Sequence, residues 1–155
     1  MVNESTTLRR ETVGLRRYTD ALAPYAVTIL RVLVGVTFLL HGYPRLANIA
    51  GFAGFLTSLG VPAPGLFAFL VTALEVGGGL LLILGLATRW VSLLFVIEML
   101  ITTLLVKLPN AGFIAPQGGG TGAELDLLLL AAALILLTQG SGPLSIERNV
   151  LKREL

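Results

Sequence analysis

The sequence lacks cysteine, has one histidine and carries few charges. Of its 155 residues, none is cysteine, one is histidine and 13% are charged. Without cysteine the chain cannot form disulfides, thiolate metal sites, iron–sulfur clusters or a dithiol redox relay. One histidine also excludes bis-histidine haem and the usual zinc sites. We therefore expect no metal site and no intrinsic cofactor.

Apolar residues are abundant instead. They make up 55% of the chain, whereas a soluble domain has roughly 45–50% apolar and 25% charged residues. A chain of this size cannot hide that surplus in one core. The formal net charge is only +2, and the basic residues gather near the two ends, which favours a membrane surface over nucleic acid as the partner. The composition predicts an integral membrane protein in a lipid bilayer.

Four apolar stretches are long enough to cross a bilayer, which takes about 17–25 residues. They cover residues 25–46, 66–86, 90–108 and 123–139. Backbone groups that face lipid must be satisfied within their own segment, so these stretches are predicted as helices. We predict an all-α four-helix bundle over residues 25–139, a basic N-terminal tail at 1–24 and a C-terminal tail at 140–155. No small-residue cleavage pattern follows the first stretch, which argues against a signal peptide.

Basic residues are distributed unequally between the two sides of this bundle. Eight fall on the side of the termini and two, at helix ends, on the other. Because cytoplasmic segments carry the excess of Lys and Arg, we expect both termini in the cytoplasm and a multi-pass protein of the cell membrane. The eight are Arg9, Arg10, Arg16, Arg17, Arg89, Arg148, Lys152 and Arg153; the two are Arg45 and Lys107.

The connection between the first two spans has helical periodicity. Phe52, Phe55, Leu56 and Leu59 recur at i, i+3, i+4 and i+7. This pattern predicts a short amphipathic helix that lies at the outer membrane interface.

Three ionisable residues are predicted at a similar depth inside the membrane. With a helical rise of about 1.5 Å per residue, Arg31 lies about 9 Å, Glu98 about 12 Å and Glu75 about 16 Å from the cytoplasmic end. Since an unpaired charge is costly there, we expect a buried ion-pair layer of these three residues. Either the layer holds the bundle together, or its carboxylates relay protons or meet a polar ligand.

Glycines accompany these charges. Gly35 and Gly42 share a face of the first helix with its intramembrane charges, and Gly78 and Gly79 follow Glu75 by three and four residues. Small residues allow helices to approach closely in lipid. The charged faces are therefore predicted to be the close-packing faces.

A second group of ionisable residues is predicted near the outer end. One interpretation is a ligand pocket, in which the imidazole can change charge near neutral pH. The other is that the two cations reach the headgroups while the histidine hydrogen-bonds a carbonyl. The group comprises His41, Arg45, Lys107, Glu124 and Asp126.

The order and spacing of several short motifs resemble the DoxX family of small four-helix membrane proteins, from about residue 30 to residue 147. The motifs are Arg31 with Phe38-Leu-Leu-His41-Gly42 and Arg45, Leu59-Gly-Val-Pro62-Ala-Pro64, Leu74-Glu75-Val-Gly-Gly78, Leu84-Gly-Leu-Ala-Thr88-Arg89, Lys107-Leu-Pro-Asn110, Glu124, and Gly142-Pro-Leu-Ser-Ile-Glu147. The resemblance implies a four-helix bundle and an association with oxidoreductases, since relatives called DoxD act in thiosulfate:quinone oxidation. Glu98 lies outside the motifs.

Three functions are compatible with this pattern. The first is an accessory subunit of a membrane oxidoreductase that binds a quinone or another small ligand in the outer polar pocket, as a homo-oligomer or within a larger redox complex. The second is a structural or assembly subunit without a ligand of its own. The third is a small-molecule or proton pathway. No residue pattern identifies a catalytic group, so whether the chain is an enzyme stays open.

Overall fold

The protein is a bundle of helices. The computed structural model describes residues 4–115 and 120–152, with only the backbone described for residues 4–15. This part contains no β-strand, so the all-α prediction is confirmed. The helices are α1 (Glu4–Ala47), α2 (Ile49–Ser58), α3 (Pro64–Leu84), α4 (Thr88–Asn110), α5 (Ala123–Gln139) and α6 (Ile146–Asn149).

Helix α1 begins far earlier than the predicted residue 25. It starts at Glu4 and continues through Pro24, although proline lacks the N–H that would bond the carbonyl four residues before it. Residues 16–26 are exposed, so the carbonyl that Pro24 leaves without a helical partner is not enclosed in the core of the bundle. Most of the predicted N-terminal tail is therefore helical. Residues 1–3 and 153–155 of the predicted tails lie outside the described residues.

Three of the helices are long and apolar enough to cross a membrane. They are Arg16–Ala47 of α1, Pro64–Leu84 and Thr88–Asn110. Helix α5 has 17 residues and begins and ends as predicted, and its length lies at the lower limit of the range for a span. Large apolar side chains are exposed on the outside of the long helices, for example Leu40, Leu104 and Leu128. Such a surface requires lipid, so the four-helix bundle belongs in a bilayer.

The prediction of close packing at glycine is confirmed where α1 meets α3. A Cβ atom on Gly35 would lie 2.7 Å from the carbonyl oxygen of Gly79, and one on Gly79 would lie 2.8 Å from the carbonyl oxygen of Gly35. Farther along α1, a Cβ on Gly42 would lie 2.8 Å from Glu75 Cβ. The two backbones approach so closely because these positions carry no side chain.

An aromatic pair lies at the centre of the bundle. Phe38 of α1 and Phe95 of α4 stack with ring centroids 3.6 Å apart and planes 7° apart. Leu82 of α3 and Ala133 and Leu136 of α5 belong to the same fully buried cluster. All four long helices thus contribute to one core, which separates a polar region near Arg31 from a cavity near His41.

The short helix predicted between the first two spans is also present. Asn48 Oδ1 accepts a 2.9 Å hydrogen bond from the Gly51 N–H and so caps the start of α2. Leu56 is the buried residue of this helix. Its apolar face lies against the bundle and closes one side of the cavity described next.

Candidate functional site

A cavity of about 830 Å³ lies at the end of the bundle that contains His41. Its wall combines the last turns of α1, the inner face of α2, the first half of α3, the second half of α4 and the first turns of α5. Most lining side chains are apolar, including Phe38, Phe52, Phe55 and Phe67. The ionisable residues among them are His41, Arg45, Glu75, Glu98, Lys107 and Asp126.

Arg45 connects three elements at the cavity. Its guanidinium forms an ion pair with the carboxylate of Glu75 on α3. The same guanidinium lies 4.5 Å from the centroid of the Phe52 ring on α2, a cation–π contact. Glu75 is buried whereas the Arg45 side chain is 32% exposed, so the pair reaches from the protein interior towards the cavity mouth.

Glu75 lies in an irregular turn of its helix. Residues Leu74–Gly78 form a π-helical turn in the middle of α3. Such turns are rare, and they are found often at functional sites, because the extra residue in the turn redirects nearby side chains. Here the π-helical turn contains Glu75, the residue that pairs with Arg45.

Glu98 of α4 is the cavity residue whose polar group is least satisfied. Its side chain lines the cavity and is only 6% exposed. Neither of its carboxylate oxygens has a hydrogen-bond partner in the described part of the chain, and the second oxygen of Glu75 has none either. Glu98 interacts electrostatically with both Glu75 and Asp126. The cavity floor therefore holds several acids beside one arginine.

Lys107 is tied to the loop before α5. It lies in a second π-helical turn, Thr103–Lys107, and its Nζ donates to the carbonyl oxygen of Thr121 at 2.8 Å and to Thr121 Oγ1 at 2.6 Å. The interpretation that Lys107 reaches for headgroups does not match this geometry. The ammonium instead fixes the end of the loop against the cavity.

Glu124 stabilises the same loop and does not line the cavity. Its Oε1 accepts a 2.9 Å hydrogen bond from the Ala115 N–H. Its backbone N–H donates to the carbonyl of Phe113 at 3.0 Å. Of the five residues predicted for the outer site, His41, Arg45, Lys107 and Asp126 line the cavity, and Glu124 lies behind the loop at its edge.

His41 uses one ring nitrogen within its own helix. Its Nδ1 lies 2.8 Å from the carbonyl oxygen of Thr37, as one of the two interpretations predicts. Because a carbonyl only accepts, Nδ1 must carry the proton, and the Nε2 atom of a neutral ring is then an acceptor.

The predicted pair of Arg31 with Glu75 is wrong. Arg31 is buried, and its guanidinium donates to the carbonyl oxygens of Ser141 at 2.6 Å and Leu144 at 2.7 Å. The C-terminal segment folds back into the bundle at this end and supplies these acceptors. Glu75 pairs instead with Arg45, and Glu98 lies near Glu75. Of the three residues predicted for the inner layer, Glu75 and Glu98 therefore lie together and Arg31 lies elsewhere.

Residues 141–147, which we call the C-terminal clasp, were predicted only as part of a tail. Within the clasp, the Glu147 backbone N–H donates to the Gly85 carbonyl at 3.2 Å, and Glu147 Oε1 accepts from the Thr88 N–H at 3.2 Å. Ser141 and Ser145 are buried and their hydroxyl oxygens lie 2.9 Å apart. The clasp thereby joins Arg31 of α1 to the turn between α3 and α4. The residues that follow Gly140 are mostly small or polar, so the sequence there shows no apolar periodicity from which the contacts of the clasp could be predicted.

The described residues contain no group of three or more histidine, aspartate or glutamate side chains arranged to hold a metal ion. The carboxylate oxygens of Glu98 that lack a partner can accept hydrogen bonds from a group placed in the cavity.

Comparison with known proteins agrees with this architecture. The DoxX family model matches residues 26–108. The chain is 36% identical to "Putative oxidoreductase CatD" of Bacillus subtilis over 124 residues, which are 80% of this chain and 86% of that protein. It is 32% identical to "Uncharacterized membrane protein Rv3486" of Mycobacterium tuberculosis over 144 residues, 88% of each chain. It is 28% identical to "Inner membrane protein YphA" of Escherichia coli over 140 residues, 86% of this chain and 97% of that protein.

No solved structure matches the chain. The family model nevertheless covers more than half of it, including all of Pro64–Leu84, most of the other two candidate spans and the Arg45–Glu75 pair. The chain belongs to the DoxX family of membrane proteins.

Proposed function

We propose that the protein is an accessory subunit of a membrane oxidoreductase and that its cavity binds a quinone or a similar small ring compound. The observation that carries this proposal is the cavity itself, an apolar chamber of about 830 Å³ with a few convergent polar groups. A pocket of that size and character is typical of small-molecule sites. The name of the Bacillus subtilis relative supports the redox association.

The cavity suits an amphiphilic ring. The phenylalanine side chains of α1, α2 and α3 offer faces for stacking, and the apolar wall accommodates a hydrocarbon tail. Polar substituents of the ring would meet the floor formed by Arg45, Glu75 and Glu98. The chain lacks the cysteines for an iron–sulfur cluster and the second histidine for bis-histidine haem, so electrons would come from a partner protein.

A pair of tryptophan variants tests whether the cavity is the binding site. Leu125 lines the cavity, whereas Leu128 lies one turn further along α5 on the exposed outer face. Leu125→Trp adds an indole inside the cavity and is expected to weaken binding of 1,4-naphthoquinone at least about tenfold, since the ring and the indole compete for the same space. Leu128→Trp adds the same group outside and is expected to leave the affinity unchanged.

The measurement is saturable binding to purified protein in lipid nanodiscs, with empty nanodiscs as the blank. Equal affinity in both variants would place the ligand elsewhere. Absence of saturable binding in the unaltered protein would refute the proposed function.

The partner is part of the same proposal. We expect the protein to form a homo-oligomer or to associate with a larger redox complex in the cell membrane, because its sequence has no cysteine for an iron–sulfur cluster and no second histidine for bis-histidine haem. Native purification from the source membrane tests this association. Co-migration with a redox complex, together with ligand binding, supports it; co-migration without ligand binding indicates an assembly subunit instead.

A further inference from the structure

The polar groups of the cavity do not match a quinone as well as they match its reduced form. The cations are engaged: Lys107 donates to Thr121, and Arg45 pairs with Glu75. Among the described side chains that line the cavity, the buried polar atoms without a hydrogen-bond partner are carboxylate oxygens, namely both oxygens of Glu98 and one of Glu75. The His41 Nε2 adds a further acceptor when the ring is neutral. The cavity thus contains hydrogen-bond acceptors without donors, and a matching ligand would supply donors.

A buried oxygen without a partner is unfavourable, because it has lost its hydrogen bonds to water. If the Glu75–Glu98 pair carries one proton, the two carboxyl groups can share it in a hydrogen bond, and one Glu98 oxygen is still left without a donor. The Nε2 atom of a neutral His41 ring is then the second acceptor of the cavity. A dione brings acceptors and leaves both of these without a donor, whereas a ring with two hydroxyl groups brings two donors. The carboxylate oxygens therefore distinguish the dihydroxy ring from the dione, because only the dihydroxy ring can donate hydrogen bonds to them.

We propose, on the basis of the function proposed above, that the cavity selects the dihydroxy form of the ring over the dione and that Glu98 is the residue that determines this choice. Glu98 is the acid that lines the cavity, is more than nine-tenths buried and has both oxygens unpartnered. The last torsion of a glutamate side chain is soft, so its carboxylate can turn towards a bound hydroxyl at little cost. The guanidinium of Arg45 holds the neighbouring Glu75 in place while Glu98 remains free to bond the ligand.

Three probes with the same bicyclic carbon skeleton test this inference. Under anaerobic conditions 1,4-dihydroxynaphthalene offers two donors, 1,4-dimethoxynaphthalene offers none, and 1,4-naphthoquinone offers only acceptors. We expect the diol to bind about tenfold more tightly than either of the others, as a hydrogen bond to a charged group allows. Equal affinities, or tighter binding of the dione, would overturn the inference while leaving a small-ring function intact.

The variant Glu98→Gln identifies the residue responsible. An amide has one acceptor and adds two donors, so the preference for the diol over the dione should fall at least about fivefold. The matched control is Asp20→Asn, the same change of acid to amide on the exposed part of α1, which should leave the preference unchanged. A preference that persists in folded Glu98→Gln would refute the role of Glu98.

Three further outcomes are informative. If Glu98→Gln does not fold, the comparison of the three probes on the unaltered protein still decides the preference. If 2-naphthylmethylammonium binds more tightly than the diol, the acids select an amine and the inference of a dihydroxy ring is wrong. If none of the rings binds, the proposed function fails and the inference fails with it.

Discussion

Two arginines of α1 stabilise different parts of the molecule. Arg31 donates to carbonyl oxygens of the C-terminal clasp, whereas Arg45 neutralises a carboxylate on α3 and contacts an aromatic ring on α2. Both guanidinium groups donate to acceptors, but only Arg45 lies at the cavity. Substitutions at the two positions should therefore have separable effects on stability and on ligand binding.

We predict that Arg31→Ala lowers stability by about 2–4 kcal/mol, because hydrogen bonds that involve a charged group are worth about 1.5–3 kcal/mol each. The carbonyls of Ser141 and Leu144 would lose their donor in a buried site. The thermal unfolding midpoint in detergent measures the loss. Arg17→Ala, which removes an exposed arginine from the same helix, should leave the midpoint unchanged, and an equal midpoint in both variants would show that the clasp contributes nothing.

Arg45→Ala is expected to destabilise the protein by about 3–5 kcal/mol, since it leaves the Glu75 carboxylate buried without its partner. The double variant Arg45→Ala with Glu75→Gln removes that charge as well and should recover most of the loss. Thermal unfolding of the two single variants and the double variant measures the coupling between the residues. Additive losses would mean that the pair does not interact.

The ionisable residues of the site were predictable from sequence, but most of their partners were not. Charges inside apolar spans are conspicuous, and helical rise places Glu75 and Glu98 at similar depths. Depth alone does not determine which cation an acid contacts. That contact also depends on the rotation of each helix about its axis and on segments, such as the clasp, that fold back into the bundle. Arg31 was therefore paired with the wrong group: its acceptors are backbone carbonyls, which no residue type reveals.

At the scale of helices, the interface between α1 and α3 depends on glycine. The space at Gly35 and Gly79 is filled by the backbone of the opposite helix, whereas a Cβ on Gly77 would meet nothing within 4 Å. Gly77 and Gly79 both lie in α3. Substitutions at these two positions therefore distinguish the effect of close packing from the general effect of replacing glycine in a helix.

We predict that Gly79→Ala destabilises the protein by about 1–3 kcal/mol, since the added methyl group overpacks the contact with α1. Gly77→Ala should be neutral or stabilising by up to about 1 kcal/mol, because alanine is the better helix former and the space is open. Unfolding midpoints of both variants in the same detergent provide the comparison. Equal effects of the two substitutions would contradict the close approach of the backbones.

Helix positions were largely predictable, and the irregularities were not. Apolar length located α3, α4 and α5 to within a few residues, and apolar periodicity predicted α2. The π-helical turns at Leu74–Gly78 and Thr103–Lys107 leave no mark on an apolar pattern, because they change hydrogen-bonding register and not composition. The predicted start of α1 at residue 25 is wrong because the apolar stretch begins only there, after Pro24, whereas the helix starts at Glu4 and continues through that proline.

For the whole molecule, the position of the cavity relative to the membrane determines which compartment supplies its ligand. The cavity lies at the end opposite the clasp, the α3–α4 turn and Arg89. If the positive-inside rule holds for this chain, the cavity opens on the outer side and both termini face the cytoplasm. The side chains of Arg9 and Arg10 and all of Arg153, which contribute to that count, lie outside the described residues.

Because the chain has no cysteine, single cysteines can report this orientation without a background. We predict that Ser58→Cys, exposed at the end of α2, reacts with a membrane-impermeant maleimide in intact cells. Thr19→Cys, exposed on the N-terminal part of α1, should react only after permeabilisation. The reverse pattern would place the cavity on the cytoplasmic side.

The fold class and the bilayer environment were predictable because they follow from total apolar content and segment length. The size and apolar lining of the cavity were not predictable from the sequence. They depend on how α2 covers the bundle, which only the structure shows. The set of residues around the cavity was anticipated in part: the outer group contributes four lining residues, and Glu75 and Glu98 of the predicted inner layer join them.

The most direct measurement is photo-crosslinking of the protein in nanodiscs with an azido derivative of a naphthoquinone, followed by identification of the labelled peptides. The account predicts that labels fall on α2 and on the second half of α4, and that unlabelled 1,4-dihydroxynaphthalene suppresses them. Labels confined to the outer faces of the helices, with no suppression by the competitor, would show that the ring dissolves in lipid and that the cavity is not its site.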